Sequence, residues 1–282
     1  MEFDNLVTSP FGLGEKLILE LLSKGESVFA VFPTAKDVPM SFLGKKNVKY
    51  GFLKFEQDPI LQKTLPRRVK HVFHLFEQYR GNFSRVFKAN TLATLLLLEW
   101  AKSAGIESMI YLSSGEVYGK GETLAEKSQC DPHGFYATTK YQSEMLLKFY
   151  QRFFRISMVR IFFPFGQGVE QGYIYELVNA IKYGDEFKGK YDNIAPTFVD
   201  DVVAPLLRIR ELKDSDIYNI CGSAIRTDGL VEEVARVIQK SHKKIETGKY
   251  GLVGNNALAK EKLGYTETAL NKAIEISFEN FK

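Results

Sequence analysis

Tyr136 and Lys140 stand four residues apart in Tyr136-Ala137-Thr138-Thr139-Lys140, a spacing that places both on one face of a helix. Upstream, Ile110 to Ser114 reads as a strand ending in two serines, followed by Gly115-Glu116-Val117-Tyr118-Gly119. A tyrosine ionises near pH 10 and needs help to trade protons near neutrality. A lysine one turn away favours the phenolate and supplies that help. A serine hydroxyl across the site can hold a carbonyl or alcohol oxygen while tyrosine gives or takes its proton. That proton transfer is half of a reversible hydride transfer, and a nicotinamide would supply the other half. Taken alone, Tyr-x-x-x-Lys occurs by chance in many helices as a surface pair. The serine-tipped strand and the glycine-interrupted start of the chain give it weight here.

These side chains need a scaffold, and the order of elements predicts an α/β doubly wound parallel sheet of the Rossmann type. A first strand over Asn5 to Thr8 ends at Ser9-Pro10-Phe11-Gly12-Leu13-Gly14. Leu17, Ile18, Leu21 and Leu22 then recur at helical spacing as far as Gly25, a natural stop, and Ser27 to Phe32 forms the next strand. This is a βαβ unit. Strands over 69–75, 108–113 and 155–162 alternate with helices over 91–103 and 136–152, which implies a parallel sheet covered on both faces. Beyond Gly166 the pattern loosens. Helices are expected over 173–183, 200–210, 228–239 and 269–281, an extended piece over 196–199 and a strand over 217–220. The expected organisation is a dinucleotide-binding Rossmann domain over 1–165. A small, mainly substrate-binding lobe follows over 166–282, with some segments returning to the sheet, at the end where doubly wound folds take ligands.

The 282 residues are 45% hydrophobic and 26% charged with a formal charge of +4, an ordinary globular balance. Short basic groups such as Arg67-Arg68 and Lys243-Lys244 lack interleaved aromatic residues, so no nucleic-acid partner is expected. Cys130 and Cys221 are far apart, and with four scattered histidines they form neither a metal site nor a disulfide framework. Reduced thiols, no leader before the first strand and no span-length apolar stretch point to a soluble cytoplasmic protein without membrane partners.

The motifs resemble those of the extended short-chain dehydrogenase/reductases, the NAD-dependent epimerase/dehydratase family, over nearly the whole chain. Ser-Ser-x-Glu-Val-Tyr-Gly is matched by Ser113 to Gly119, Tyr-x-x-x-Lys by Tyr136 to Lys140, and Arg-x-Phe-x-x-x-Gly by Arg160 to Gly166. Phe198 to Val202 and Tyr218 to Gly222 match two further patterns. The resemblance implies that Ser114 polarises the substrate and Tyr136 is the acid/base. It gives Lys140 the nicotinamide ribose and a lowered tyrosine pKa to maintain, and it has Asn90 hold the lysine network. Glu116 is either an additional proton-transfer group or a charge satisfied at a strand exit. The implied cofactor is NAD or NADP, contacted by Thr8, Ser9, Gly12, Leu13, Gly14, Leu75, Tyr136, Lys140 and Phe163, with Lys36 as a candidate for a 2′-phosphate. The implied substrate is a sugar or nucleotide sugar, and the implied assembly is a homodimer through the helices after Asn90 and Tyr136, where Leu95 to Leu98 and Trp100 are apolar.

The adenosine side departs from the family. The glycine loop is one residue short, and Pro10 has no amide to offer a phosphate. Phe32-Pro33 stands where an NAD enzyme carries an acid for the ribose, Phe55 where an Asp is usual, and Phe76-Glu77 where a small pair is usual. On the substrate side, Phe163 replaces an Asn and Ile194-Ala195-Pro196 an Arg-bearing segment. Two functions compete on these residues. One is an NAD(P)-dependent epimerase, dehydratase or reductase with an altered loop. The other is a non-catalytic binding or regulatory protein with an eroded dinucleotide site.

Overall fold

The computed structural model describes residues 2–9, 11–54, 64–243 and 245–279, so Pro10 and Phe55 lie outside the described residues. The chain opens as β1 (Glu2–Thr8), α1 (Leu13–Ser23), β2 (Val28–Phe32), β3 (Val48–Phe52) and β4 (Arg68–His74). It continues with α2 (Phe83–Phe87), a π-helical turn over Lys88–Leu92, α3 (Ala93–Ala104), β5 (Ser108–Ser114), β6 (Gly121–Leu124) and α4 (Phe135–Tyr150). Next come β7 (Arg155–Ile161), β8 (Pro164–Phe165), α5 (Tyr173–Tyr183), β9 (Tyr191–Ile194), β10 (Thr197–Phe198) and α6 (Val203–Glu211). The last elements are β11 (Ile217–Ile220), β12 (Ile225–Arg226), α7 (Thr227–Ile238), β13 (Tyr250–Gly254), α8 (Ala257–Leu263) and α9 (Leu270–Phe278).

Seven strands form one sheet in the order β11-β7-β5-β4-β1-β2-β3. The pairings around β1 and β4 are parallel, with Thr8 opposite His74 and His74 opposite Tyr111. The doubly wound Rossmann-type α/β fold expected from the alternation is therefore present. β5 is buried at every residue, as a central parallel strand must be.

Two compact units are assembled from interleaved segments. The first comprises Met1–Ser113, Gly134–Val159 and Leu206–Ile217, and the second Ser114–His133, Arg160–Pro205 and Tyr218–Lys282. The core of the first unit gathers Leu6 of β1, Val72 of β4, Leu97 and Trp100 of α3, Tyr111 of β5 and Met158 of β7. Leu97, Leu98 and Trp100 are thus spent inside their own unit, and only Leu95 and Leu96 of that apolar stretch are half-buried. The apolar side chains this unit leaves exposed are others, among them Phe83, Phe87, Leu92, Phe135, Met145 and Phe149.

The second unit carries a four-stranded sheet, β12-β9-β13-β6, and a small pair, β10-β8. The sequence pattern did not predict β9 or β13. Tyr191-Asp192-Asn193-Ile194 has two poor strand formers at its centre and is held by its neighbours rather than by propensity. The helix expected over 200–210 begins instead as a 3-10 turn, Val199–Val202, and becomes α-helical at Val203, with Pro205 tolerated in the first turn. Among the described residues no helix is long and apolar enough to cross a membrane.

Candidate active site

The first unit brings three of the expected residues together. Tyr136 is the second residue of α4, and Lys140 follows one turn later. The lysine side chain is wholly buried. Its ammonium donates to the Leu112 carbonyl of β5 at 2.5 Å and lies 4.5 Å from the centre of the Tyr111 ring. Burial alone would lower its pKa, but the charge and hydrogen bonding of Tyr111 and Glu77 outweigh that and leave it raised. Lys140 is therefore a fixed positive charge under the first turn of α4.

Asn90 sits on the π-helical turn, an irregularity that often marks functional positions. Its amide donates to Thr139 Oγ1 at 2.9 Å and to the Gln78 carbonyl at 3.1 Å, and its Oδ1 accepts from the Gln78 amide at 2.8 Å. Thr139 in turn donates to the Tyr136 carbonyl. Asn90 thus links the start of α4 to the loop after β4.

That loop has a second clasp. Thr8, buried at the end of β1, accepts from the Leu75 and Phe76 amides at 3.0 and 3.1 Å. Its hydroxyl also lies 2.9 Å from Nδ1 of His74, while Nε2 of His74 lies 3.0 Å from Thr94 Oγ1. The Thr94 hydroxyl proton goes to the Asn90 carbonyl, so His74 Nε2 donates to Thr94 and Thr8 donates to Nδ1. One buried chain of hydrogen bonds therefore runs from Thr8 through His74 and Thr94 to Asn90 and holds residues 75–78 from both sides. Burial, with help from the Lys140 charge, drives the His74 pKa down to about 3, so its imidazole is neutral.

Between the two clasps stands Glu77. Its Oε2 accepts from the Tyr136 hydroxyl at 2.7 Å and pairs with the Lys140 ammonium at 3.3 Å. Tyr79 packs edge-on to Tyr136 with ring centres 4.7 Å apart. Sequence reasoning weighed Phe76-Glu77 only as bulk; the useful signal was a carboxylate in a place where the family has a small residue.

The glycine loop is built but altered. Ser9 has a φ of 55°, in the left-handed region, and a Cβ on Gly14 would come within 2.3 Å of the Ser9 carbonyl oxygen. That approach is why glycine stands at 14. Leu13 is buried and opens α1 behind Gly12. Phe32 is fully buried and makes edge contacts with Phe11, Phe42 and Tyr50, so the end of β2 contributes to the core and not to a ribose. Beyond the ends of β2, β3 and β4 lies a cavity of about 610 Å³ lined by Pro33, Leu53, Lys54, Phe76, Gln78, Asn82, Ser84, Arg85 and Lys88. Its volume suits an adenosine-sized group. Its described lining carries three cations and no carboxylate, which suits a phosphate better than a bare ribose diol. Lys36 is exposed on a 3-10 turn and does not line it. The residues thus fit the adenosine end of a dinucleotide, while the lysine assigned to the nicotinamide ribose is engaged with Glu77.

Ser113 and Ser114 have separate partners. Ser113 donates to the buried Glu144 at 2.6 Å, which leaves Ser114 as the serine at the strand tip. Its hydroxyl accepts from the Glu116 amide and caps the following turn. Glu116, in the second unit, is buried, pairs with Lys190 at 3.7 Å and raises the Tyr191 pKa together with burial, which is the larger cause. The Phe163 ring packs edge-on against both Tyr173 and Tyr191, and its backbone has a φ of 43°. Arg160, Tyr118 and Asn219, all motif residues, form a buried knot in which Arg160 donates to the Tyr118 hydroxyl at 2.7 Å and Tyr118 to Asn219 at 2.9 Å. Those motif positions are architectural. Among the described residues no group of three or more His, Cys, Asp or Glu could hold a metal.

A doubly wound α/β sheet with a tyrosine–lysine pair at the start of one helix and a glycine turn after β1 defines a class of dinucleotide-dependent folds. The chain belongs to the NAD dependent epimerase/dehydratase family, whose model matches residues 13–221. An uncharacterized protein of Methanocaldococcus jannaschii is 26% identical over 219 residues, 71% of this chain and 67% of that protein. UDP-glucose 4-epimerase of Haemophilus influenzae is 28% identical over 195 residues, 62% of this chain and 57% of that enzyme. The match thus spans little more than half the length of that enzyme. Among solved structures, UDP-glucuronic acid 4-epimerase of Bacillus cereus in complex with NAD superposes with a TM-score of 0.85 at 21% identity, covering 99% of this chain and 96% of that one. UDP-glucose 4-epimerase of Thermotoga maritima with UDP-glucose gives 0.82 at 23% identity, covering 99% and 98%.

Proposed function

We propose that the protein is an NAD(P)-dependent enzyme that epimerises, dehydrates or reduces a sugar or nucleotide sugar by reversible hydride transfer, with Tyr136 as proton carrier. The observation that carries this reading is the buried Lys140 ammonium one turn from Tyr136, supported by Asn90 and Thr139. An unused site has no need of so costly a buried charge. The names of the relatives, which refer to UDP-glucose and UDP-glucuronic acid, support a nucleotide sugar as the substrate class.

Bound NAD(P) would take and return the hydride. Tyr136 would give or take the proton at the substrate oxygen, and Lys140 would stabilise its phenolate and hold the ribose hydroxyls. Ser114 would hold the substrate oxygen, and Glu116 would serve as a second proton-transfer group at the strand exit. The cations of the adenosine-side cavity favour NADPH over NADH. The exposed apolar side chains of the first unit support a homodimer.

Calorimetric titration with NADH and NADPH, followed by turnover assays with UDP-sugars, tests the assignment. Micromolar binding with interconversion of a sugar is the expected result. Absence of binding of either nucleotide up to millimolar concentration would move the assignment to a non-catalytic binding protein on the same fold. Phe32 in place of a ribose-binding acid and Glu77 on the Tyr136–Lys140 pair favour that second reading.

A further inference from the structure

We propose that Glu77 is a resident lock on the site: it keeps Tyr136 in its protonated, donating form and must release it before the tyrosine can act on a substrate. The proposal shares with the functional reading only the assignment of Tyr136 as the proton-handling residue.

The geometry is specific. A single carboxylate oxygen of Glu77 takes both the Tyr136 hydroxyl and the Lys140 ammonium. A lysine in this place favours the phenolate, yet a carboxylate 2.7 Å from the same hydroxyl disfavours it, because phenolate and carboxylate would meet as like charges. Lys140 faces Tyr111 from β5 and Glu77 from the loop after β4, and Tyr136 faces Glu77 and the Tyr79 ring. A negative charge therefore stands at hydrogen-bond distance from the phenol. A carboxylate is also too weak a base to take the phenol proton, so Glu77 is not the base that ionises Tyr136.

Its placement is built. Leu75 and Phe76 are fixed by Thr8, and Gln78 is fixed on both backbone atoms by Asn90, so the residue between them is presented to α4 by a rigid loop. The carboxylate also supplies the counter-charge that a buried ammonium requires. Two events would open the lock: uptake of a proton by Glu77, or a group that offers Lys140 and Tyr136 other partners.

The test follows the ionisation of Tyr136 itself. The phenolate signal of each protein is read against its own Tyr136→Phe counterpart, by ultraviolet absorbance and by NMR of labelled tyrosine ring carbons. In Glu77→Gln, which keeps an acceptor and removes the charge, Tyr136 should ionise about one to three pH units lower than in the unaltered chain. Ionisation at the same or a higher pH would overturn the proposal. Should that variant fail to fold by circular dichroism, Glu77→Asp withdraws the carboxylate by one methylene, and a lower ionisation pH is again expected; no change overturns the lock. Titration of the same proteins with NADH and NADPH reports separately on the functional reading. A shifted Tyr136 without nucleotide binding keeps the lock and removes the enzyme, whereas binding with an unmoved Tyr136 does the reverse.

Discussion

Acid should loosen the first unit through His74 well before its carboxylates titrate. In the fold the imidazole is held at about 3 by burial, against 6.5 for a free histidine. Between those values the unfolded chain binds a proton that the folded chain refuses. The stability from this group is therefore complete above about 6.5 and drains away as pH falls toward 3. At ~1.4 kcal/mol for each pH unit crossed, going from neutrality to about pH 5 costs roughly 2 kcal/mol from this side chain alone. His71, half-buried and also lowered, adds to the slope, while Asp4 and Glu26 are held low and act only in stronger acid. The comparison must therefore be with His74→Gln. Urea unfolding of both proteins at neutral pH and near pH 5 should show the unaltered chain losing about 2 kcal/mol more than the variant. Equal losses in the two proteins would refute the reasoning that His74 is a buried neutral link.

Three further outcomes are expected. Tyr136→Phe should lower turnover by roughly 10²–10⁴-fold while leaving thermal unfolding within a few degrees of the original, and near-native activity would refute its role. Arg85→Ala should weaken NADPH binding by roughly 10- to 100-fold with little change for NADH, measured by calorimetry, because a charge-assisted hydrogen bond contributes roughly 1.5–3 kcal/mol. Phe149→Glu, an exposed position on α4, should convert a dimer to a 32.1 kDa species in light scattering; a monomeric unaltered chain would end the dimer proposal.

The parallel sheet was legible because buried parallel strands write continuous apolar runs, as at Val28 to Phe32 and Met109 to Leu112, and because α1 stops at a glycine with a φ of 79°. Tyr136 and Lys140 were legible from helical spacing. The small strands were not: β9 and β13 exist through pairing with each other, and a four-residue strand with Asp and Asn inside carries no periodicity. Glu77 escaped for a related reason. Its partners lie 59 and 63 positions away, and nothing local in Phe76-Glu77-Gln78 reveals that two clasps fix it against α4. Lys36 was chosen by nearness in sequence to β2, whereas the cavity is lined by Lys54, Arg85 and Lys88 from other loops.

The interleaving of the units bears on how the chain is made. Arg210 of α6 donates to Glu26 at 2.9 Å and to Asn5 at 3.0 Å, and the Arg155 guanidinium reaches the Leu212 carbonyl. These contacts close the first unit with its last segment, Leu206–Ile217. A ribosome that has released the chain only as far as β7 has therefore released an open sheet edge there, with Glu26 and Arg155 still without these partners, a form exposed to strand pairing with its neighbours. Biogenesis would favour slow closure, chaperone protection of that edge and intolerance of truncation anywhere before residue 217, so expression of the sheet as a shorter N-terminal fragment should yield aggregate instead of a miniature protein.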